Sequence, residues 1–163
     1  MSDNVVFEDY SVEVKNALKE KAISFLYEVG GEIRSLAQRN SRRKTSQTAG
    51  SYQYKVDESG LAVHIGSDYW NAIYEEFGTG EHAINGDGRK GYWVYVDNGG
   101  KPEAPKGGKN YTKEEAIRVC AYLRKQGLKA YYTNGKTANR PLFKAFESTK
   151  PRIESIAKTY FGD

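Results

Sequence analysis

A regular pattern of apolar positions predicts one long helix near the N-terminus. Between residues 11 and 38, apolar side chains recur every three or four positions and share one helical face, at Leu18, Ala22, Phe25, Leu26, Val29, Ile33, Leu36 and Ala37. Charged side chains lie opposite, and Asp9 or Ser11 can cap the first turn. Gly30 and Gly31 inside this helix predict either a bend or a place where another backbone lies close.

Strict alternation of apolar and polar positions predicts a β-hairpin next. The two strands are Tyr52–Val56 and Leu61–Ile65, and Asp57–Gly60 forms the turn between them. His64 lies on the strand face opposite to the apolar residues. We therefore expect it to be exposed or hydrogen-bonded rather than catalytic.

A short aromatic helix is predicted at residues 69–77, because apolar side chains again recur at helical spacing. Gly78 is the expected stop, either with a positive φ or packed against another backbone, and Gly80 allows a second close approach. Glu75 and Glu76 lie where the helix dipole disfavours negative charge. We expect their partners elsewhere in the fold or on another chain.

The last half of the chain predicts a strand–helix–strand segment and a closing helix. A strand at Tyr92–Val96 precedes a helix that a capping box opens at Thr112 and Glu115, and a second strand follows at Leu128–Tyr132. The closing helix begins near Asn139 with Pro141 in its first turn. Pro151 predicts a kink or break in that helix.

These elements predict an α+β fold. The long N-terminal helix and the kinked C-terminal helix pack on a small, mainly antiparallel sheet, with the strand–helix–strand segment as an insertion. We expect a single domain over residues 1–163, elaborated at 84–138.

Composition adds few constraints. The formal charge of the 163 residues is +4, a mild excess that tolerates an acidic partner without requiring one. Cys120 is the single cysteine, which excludes an internal disulfide and favours a reducing compartment. Its position on the apolar face of a predicted helix indicates a small buried residue. No apolar run reaches the ~20 residues that span a bilayer, and we expect no signal peptide.

Two short motifs carry a resemblance to a known family. Residues 69–80 resemble the signature Y-A-x-Y-x-E-F-G-T-G, and residues 139–147 resemble R-P-F-x-x-P-A-F-E at the start of a C-terminal helix. Both are typical of the tail-completion (minor capsid, gene-ten-like) neck proteins of long-tailed phages and prophages. The resemblance covers most of the chain except 84–138, and the linker 39–51 lacks the family's proline and aspartate.

The resemblance implies a structural virion protein of the phage neck or tail top. It would complete the tail and help join it to the head as a homo-oligomeric ring. The resemblance is also compatible with a monomer before assembly. The expected partners are other neck, head-connector and tail proteins. The protein is expected to be located in the virion, after assembly in the host bacterial cytoplasm. The implied assembly and turn residues are Tyr69, Trp70, Tyr74, Glu76, Phe77, Gly78, Thr79, Gly80, Arg140, Pro141 and Phe143.

Enzymatic chemistry is not expected, and neither is a cofactor or a metal. The two histidines and Cys120 show no metal-ligand spacing, and the glycines form no phosphate-binding pattern. The alternative function is a basic DNA-binding module that uses the aromatic strand and the basic linker side chains Arg42, Arg43 and Lys44. Binding that weakens steeply with salt would favour that alternative. We also predict a carboxylate–guanidinium pair between Glu76 and Arg140, within one chain or between neighbours in a ring.

Overall fold

The computed structural model describes residues 8–42, 46–99 and 108–162. The fold is α+β, as predicted, with five α-helices and four strands in the described part. In chain order they are α1 Ser11–Asn40, α2 Gln47–Gly50, β1 Tyr52–Asp57, β2 Ala62–Ser67, α3 Trp70–Phe77, β3 Trp93–Val96, α4 Lys113–Lys125, β4 Ala130–Thr133 and α5 Pro141–Phe161, and a 3-10 turn at Gly80–His82 follows α3.

The strands form two separate antiparallel pairs, β1–β2 and β3–β4, where the sequence predicted one small sheet. The division has a physical reason, because the chain forms two compact units. The first unit contains α1, α2, β1, β2 and α5, and the second contains α3, β3, α4 and β4. The glycine motif therefore belongs to the same unit as the predicted insertion.

The core of the first unit forms where α1 and α5 pack side by side in opposite directions. The end of α1 meets the start of α5 through the Asn40 side-chain amide, 3.5 Å from the carbonyl of Pro141. At the other end, the Phe25 and Phe161 rings meet edge to face at 6.0 Å. Residues 11–21 of α1 lie beyond this contact and are all exposed.

Gly30 allows the hairpin to pack tightly on α1. A Cβ there would lie 2.7 Å from both Tyr54 Cδ2 and Val63 Cγ2. The expected close approach exists, but side chains of β1 and β2 make it rather than a second backbone. The hairpin turn is held by the Asp57 carboxylate, which accepts from the amides of Ser59 and Gly60 at 3.0 and 3.1 Å.

Two other expectations need correction. The predicted linker 39–51 contains the end of α1 and all of α2, in which Gly50 N donates to Ser46 O at 2.8 Å. The predicted break near Pro151 is absent, since α5 continues through it without interruption. The milder alternative, a kink at this position, stays a prediction.

The core of the second unit lies between α4 and the β3–β4 pair. Its buried members are Val94, Ala116, Cys120 and Ala130. Cys120 is buried as predicted, and its thiol donates to Ala130 O at 3.0 Å. The capping box is confirmed, with Glu115 N donating to Thr112 Oγ1 and Thr112 N to the Glu115 carboxylate.

Candidate functional site

Gly78 ends α3 in a backbone conformation that only glycine adopts readily. Its φ and ψ are 72° and −177°, and its amide donates to Tyr74 O at 3.1 Å. A Cβ at this position would lie 2.5 Å from His82 O and 2.9 Å from both Lys136 O and Ala138 N. Both parts of the prediction for Gly78 are confirmed, the positive φ and the close backbone.

The residues after Gly78 pair with the segment that follows β4. Thr79 N donates to Lys136 O at 2.9 Å, Lys136 N donates back to Thr79 Oγ1 at 2.9 Å, and Glu81 N donates to Asn134 O at 2.9 Å. A Cβ on Gly80 would collide with the carbonyl oxygen of Asn134. The glycine motif and the 134–138 segment thus form one tightly packed crossing, which we call the glycine crossing.

Glu75 anchors the end of α3 from inside. Its side chain is only 1% exposed, and its carboxylate accepts from Ser41 Oγ and Arg42 N at 2.7 Å each and from Asn139 Nδ2 at 3.4 Å. Ser41 and Arg42 begin the second unit in the sequence, and Asn139 lies near its end. The expected distant partners of the acidic pair are therefore confirmed for Glu75.

Arg140 also reaches the end of α3, through its backbone. The amides of Asn139 and Arg140 donate to the carbonyl oxygen of Glu75 at 2.8 and 3.2 Å, and Arg140 has a positive φ of 56°. The two motifs of the sequence thus meet at one backbone carbonyl. The side-chain pair between Glu76 and Arg140 stays a prediction.

Glu81 is a structural residue that no sequence pattern indicated. Its carboxylate accepts from Asn134 Nδ2 at 2.9 Å and from Gly91 N at 3.0 Å, which joins the loop before β3 to the turn after β4. The Asn134 side chain, and then the Gly91 amide, hold the pKa of Glu81 below its ordinary value of 4.5. Gly91 precedes β3 and Asn134 follows β4, and neither position carries a local sequence signal for a bond to Glu81.

An apolar surface covers the outer side of α3. Ile73, Tyr74, Phe77 and Ile84 are between 40% and 58% exposed, and Ile84 N donates to Phe77 O at 3.0 Å. We call these four residues the apolar face of α3. Aromatic rings continue beside it, with Trp70 5.9 Å from Tyr74 and 5.6 Å from Tyr69.

The remaining predicted residues lie in different environments. Pro141 is buried at the start of α5, whereas Phe143 is exposed on that helix. Arg42 takes part in the fold, because its amide binds Glu75 and its guanidinium donates to Thr137 O at 3.0 Å. Arg43 and Lys44 lie outside the described residues.

The acidic side chains of this site bind amides and hydroxyls. Among the described residues, no three His, Cys, Asp or Glu side chains are grouped closely enough to hold a metal ion. A helix long and apolar enough to cross a membrane is likewise absent from residues 8–42, 46–99 and 108–162. Comparisons with protein-family models, with curated proteins and with solved structures find no match to this chain.

Proposed function

We propose that this protein is a structural component of a phage neck or tail top, which completes the tail and helps to join it to the head. It works as a ring of identical copies in contact with other neck, head-connector and tail proteins. The proposal rests on the resemblance in residues 69–80 and 139–147. The observation that carries it is the apolar face of α3.

Exposed apolar side chains in contiguous groups mark surfaces that other proteins cover. Ile73 and Phe77 are four residues apart and so lie on the same side of α3, with Tyr74 beside them. Aromatic and large aliphatic side chains of this kind form the centres of protein interfaces. Their exposure supports a docking role rather than a core role for this helix.

The glycine crossing and Glu75 hold the apolar face of α3 in a fixed position. Glu75 points inward from α3 and is held by donors from residues 41, 42 and 139, while Gly78 fixes the exit of the helix. A surface that is already ordered before docking loses little conformational entropy when it binds. This arrangement suits a component that assembles by presenting a preformed surface.

The first unit offers a second exposed surface, at the free end of α1. Val14 and Leu18 are one helical turn apart and both exposed, on the part of α1 that extends beyond the end of α5. Ring closure uses two different surfaces on each copy. The apolar face of α3 and the free end of α1 are two such surfaces.

The proposal is tested in the phage or prophage that carries the gene. Deleting the gene should leave heads and tails that fail to join, as seen by electron microscopy, and an intact copy should restore joined particles. A copy with Ile73→Glu and Phe77→Glu should fold but fail to restore joining, because charges replace the centre of the docking surface.

A matched control is Ile117→Glu, since Ile117 is a similarly exposed aliphatic residue on α4. This copy should restore joining. Normal particles from the deletion strain, or from the Ile73→Glu and Phe77→Glu copy, would refute the proposal.

A further inference from the structure

The strand–helix–strand part of the second unit is strongly basic. Its described residues, 89–99 and 108–133, contain eight Lys and Arg residues and three Asp and Glu residues. One of the three acidic residues, Glu115, is occupied by the capping box. The local excess is +5 within 37 residues, compared with +4 for all 163 residues, so positive charge is concentrated here and favours an anionic ligand.

Cations in this region lie directly over aromatic rings. The guanidinium of Arg124 is 5.6 Å from the centre of the Tyr131 ring, and the Lys109 ammonium is 5.5 Å from the centre of Tyr111. The Arg89 guanidinium is 5.2 Å from the centre of the Trp93 ring, and its Nε and one terminal amino group donate to the Asn110 side chain and to backbone carbonyls. Tyr131 is exposed whereas Tyr111 packs against the core of the unit, so the pair of Arg124 and Tyr131 is the better placed to meet a ligand.

Arg124 is positioned by the fold but retains free donors. Its Nε donates to Ala130 O at 2.8 Å, and the described residues provide no acceptor for its terminal amino groups. A guanidinium fixed in this way loses little side-chain entropy when it meets a phosphate. Lys125 and Lys129 are exposed close by in the sequence and add to the charge.

Flat aromatic surface accompanies these cations. The outward face of the β3–β4 pair holds Tyr95 opposite Tyr131, and their rings stack at 5.7 Å with an angle of 29°. Tyr131 is 42% exposed, whereas Tyr132, the next residue of β4, lies on the opposite face of the strand pair. We call Tyr95, Arg124, Lys129 and Tyr131 the tyrosine–cation patch.

We propose that the tyrosine–cation patch binds single-stranded nucleic acid. Arg124 and Lys129 meet the phosphates, and the exposed ring of Tyr131 stacks with an unpaired base. A duplex keeps its bases stacked inside and would leave the rings without a role. An acidic peptide would use the cations but has no flat groups to match the tyrosines.

The test measures binding of a fluorescent 15-nucleotide oligo(dT) to the full chain by anisotropy between 50 and 200 mM salt. Two or three phosphate contacts should lower log K by about 1.5 to 2 for each tenfold rise in salt. Arg124→Gln should reduce that slope by about 0.7. Lys150→Gln, which removes an exposed charge from α5, should leave the slope unchanged.

Stacking is tested separately at Tyr131. Tyr131→Ala should weaken binding by at least about fivefold, whereas Tyr131→Phe keeps the ring and should bind like the native protein. Absence of binding to oligo(dT) at 50 mM salt would overturn the proposal. So would tighter binding to the matching duplex, equal binding to a polyglutamate of similar length, or equal losses in the two Tyr131 variants. None of these results bears on the role of α3 in assembly.

Discussion

Gly78 and Gly86 have almost the same φ, 72° and 73°, but only Gly78 is enclosed by backbone. A Cβ on Gly86 would meet nothing within 4 Å, whereas one on Gly78 would crowd three backbone atoms. We therefore expect Gly78→Ala to lower the free energy of unfolding by about 1–3 kcal/mol more than Gly86→Ala does. Urea unfolding of both variants gives the difference, and equal losses would show that Gly78 is under no steric constraint.

Glu75 and Glu76 are neighbours of the same type in different surroundings. Glu75 is buried and accepts from Ser41 and Arg42 at 2.7 Å, whereas Glu76 is half-exposed. Glu75→Gln should lower the free energy of unfolding by about 1.5–3 kcal/mol, because a charge-assisted hydrogen bond in a buried site is lost.

Glu76→Gln is the matched control, with a smaller expected loss. Combining Glu75→Gln with Ser41→Ala should cost less than the sum of the two single changes, since both remove the same bond. Strict additivity would contradict the buried contact that the structure places at the end of α3.

The Glu81 carboxylate makes part of the stability of the second unit depend on pH. Its folded pKa is lowered, so the stabilisation is complete above its ordinary value of 4.5 and is lost as the pH falls through the lower folded pKa. Glu81→Gln should therefore be less stable than the native protein at pH 7, and the gap should narrow below pH 4.5. Thermal unfolding between pH 3 and 7 measures the gap, and a constant gap would contradict this role for the carboxylate.

At the scale of elements, Pro151 is the least favourable residue of α5. It lies in the interior of a continuous helix, where proline removes a backbone hydrogen bond. Pro151 is exposed, so a smaller side chain there leaves no cavity. Pro151→Ala should raise the free energy of unfolding by about 1–3 kcal/mol. The neighbouring Lys150→Ala should change it by less than about 0.5, and no gain from Pro151→Ala would mean that the proline is compensated by packing.

The elements that the sequence predicted correctly are those with local signals. The period of α1, the capping box of α4 and the glycine stop of α3 all depend on residues within a few positions of each other. The bond between Glu81 and Asn134 joins residues 53 positions apart, so no local pattern indicates it. The same limit explains the two sheets, because alternation predicts a strand but not its partner.

The whole molecule exposes apolar side chains in both of its units. In the first unit they lie at the free end of α1, on residues that continue the apolar stripe of its buried half. In the second unit they form the apolar face of α3, which is held in place by Glu75 and the glycine crossing. The proposed assembly role accounts for both, because these surfaces would then be covered in the particle.

The most direct test is oxidative footprinting of Tyr74 and Phe77 in the free protein and in purified particles. Both side chains are exposed in the free chain, and Tyr27 on α1 is an equally exposed control. If α3 docks as proposed, labelling of Tyr74 and Phe77 falls several-fold in the particle, while Tyr27 keeps a greater share of its labelling. Unchanged labelling of the α3 residues in particles that contain the protein, or absence of the protein from the particles, would contradict the proposed docking role of α3.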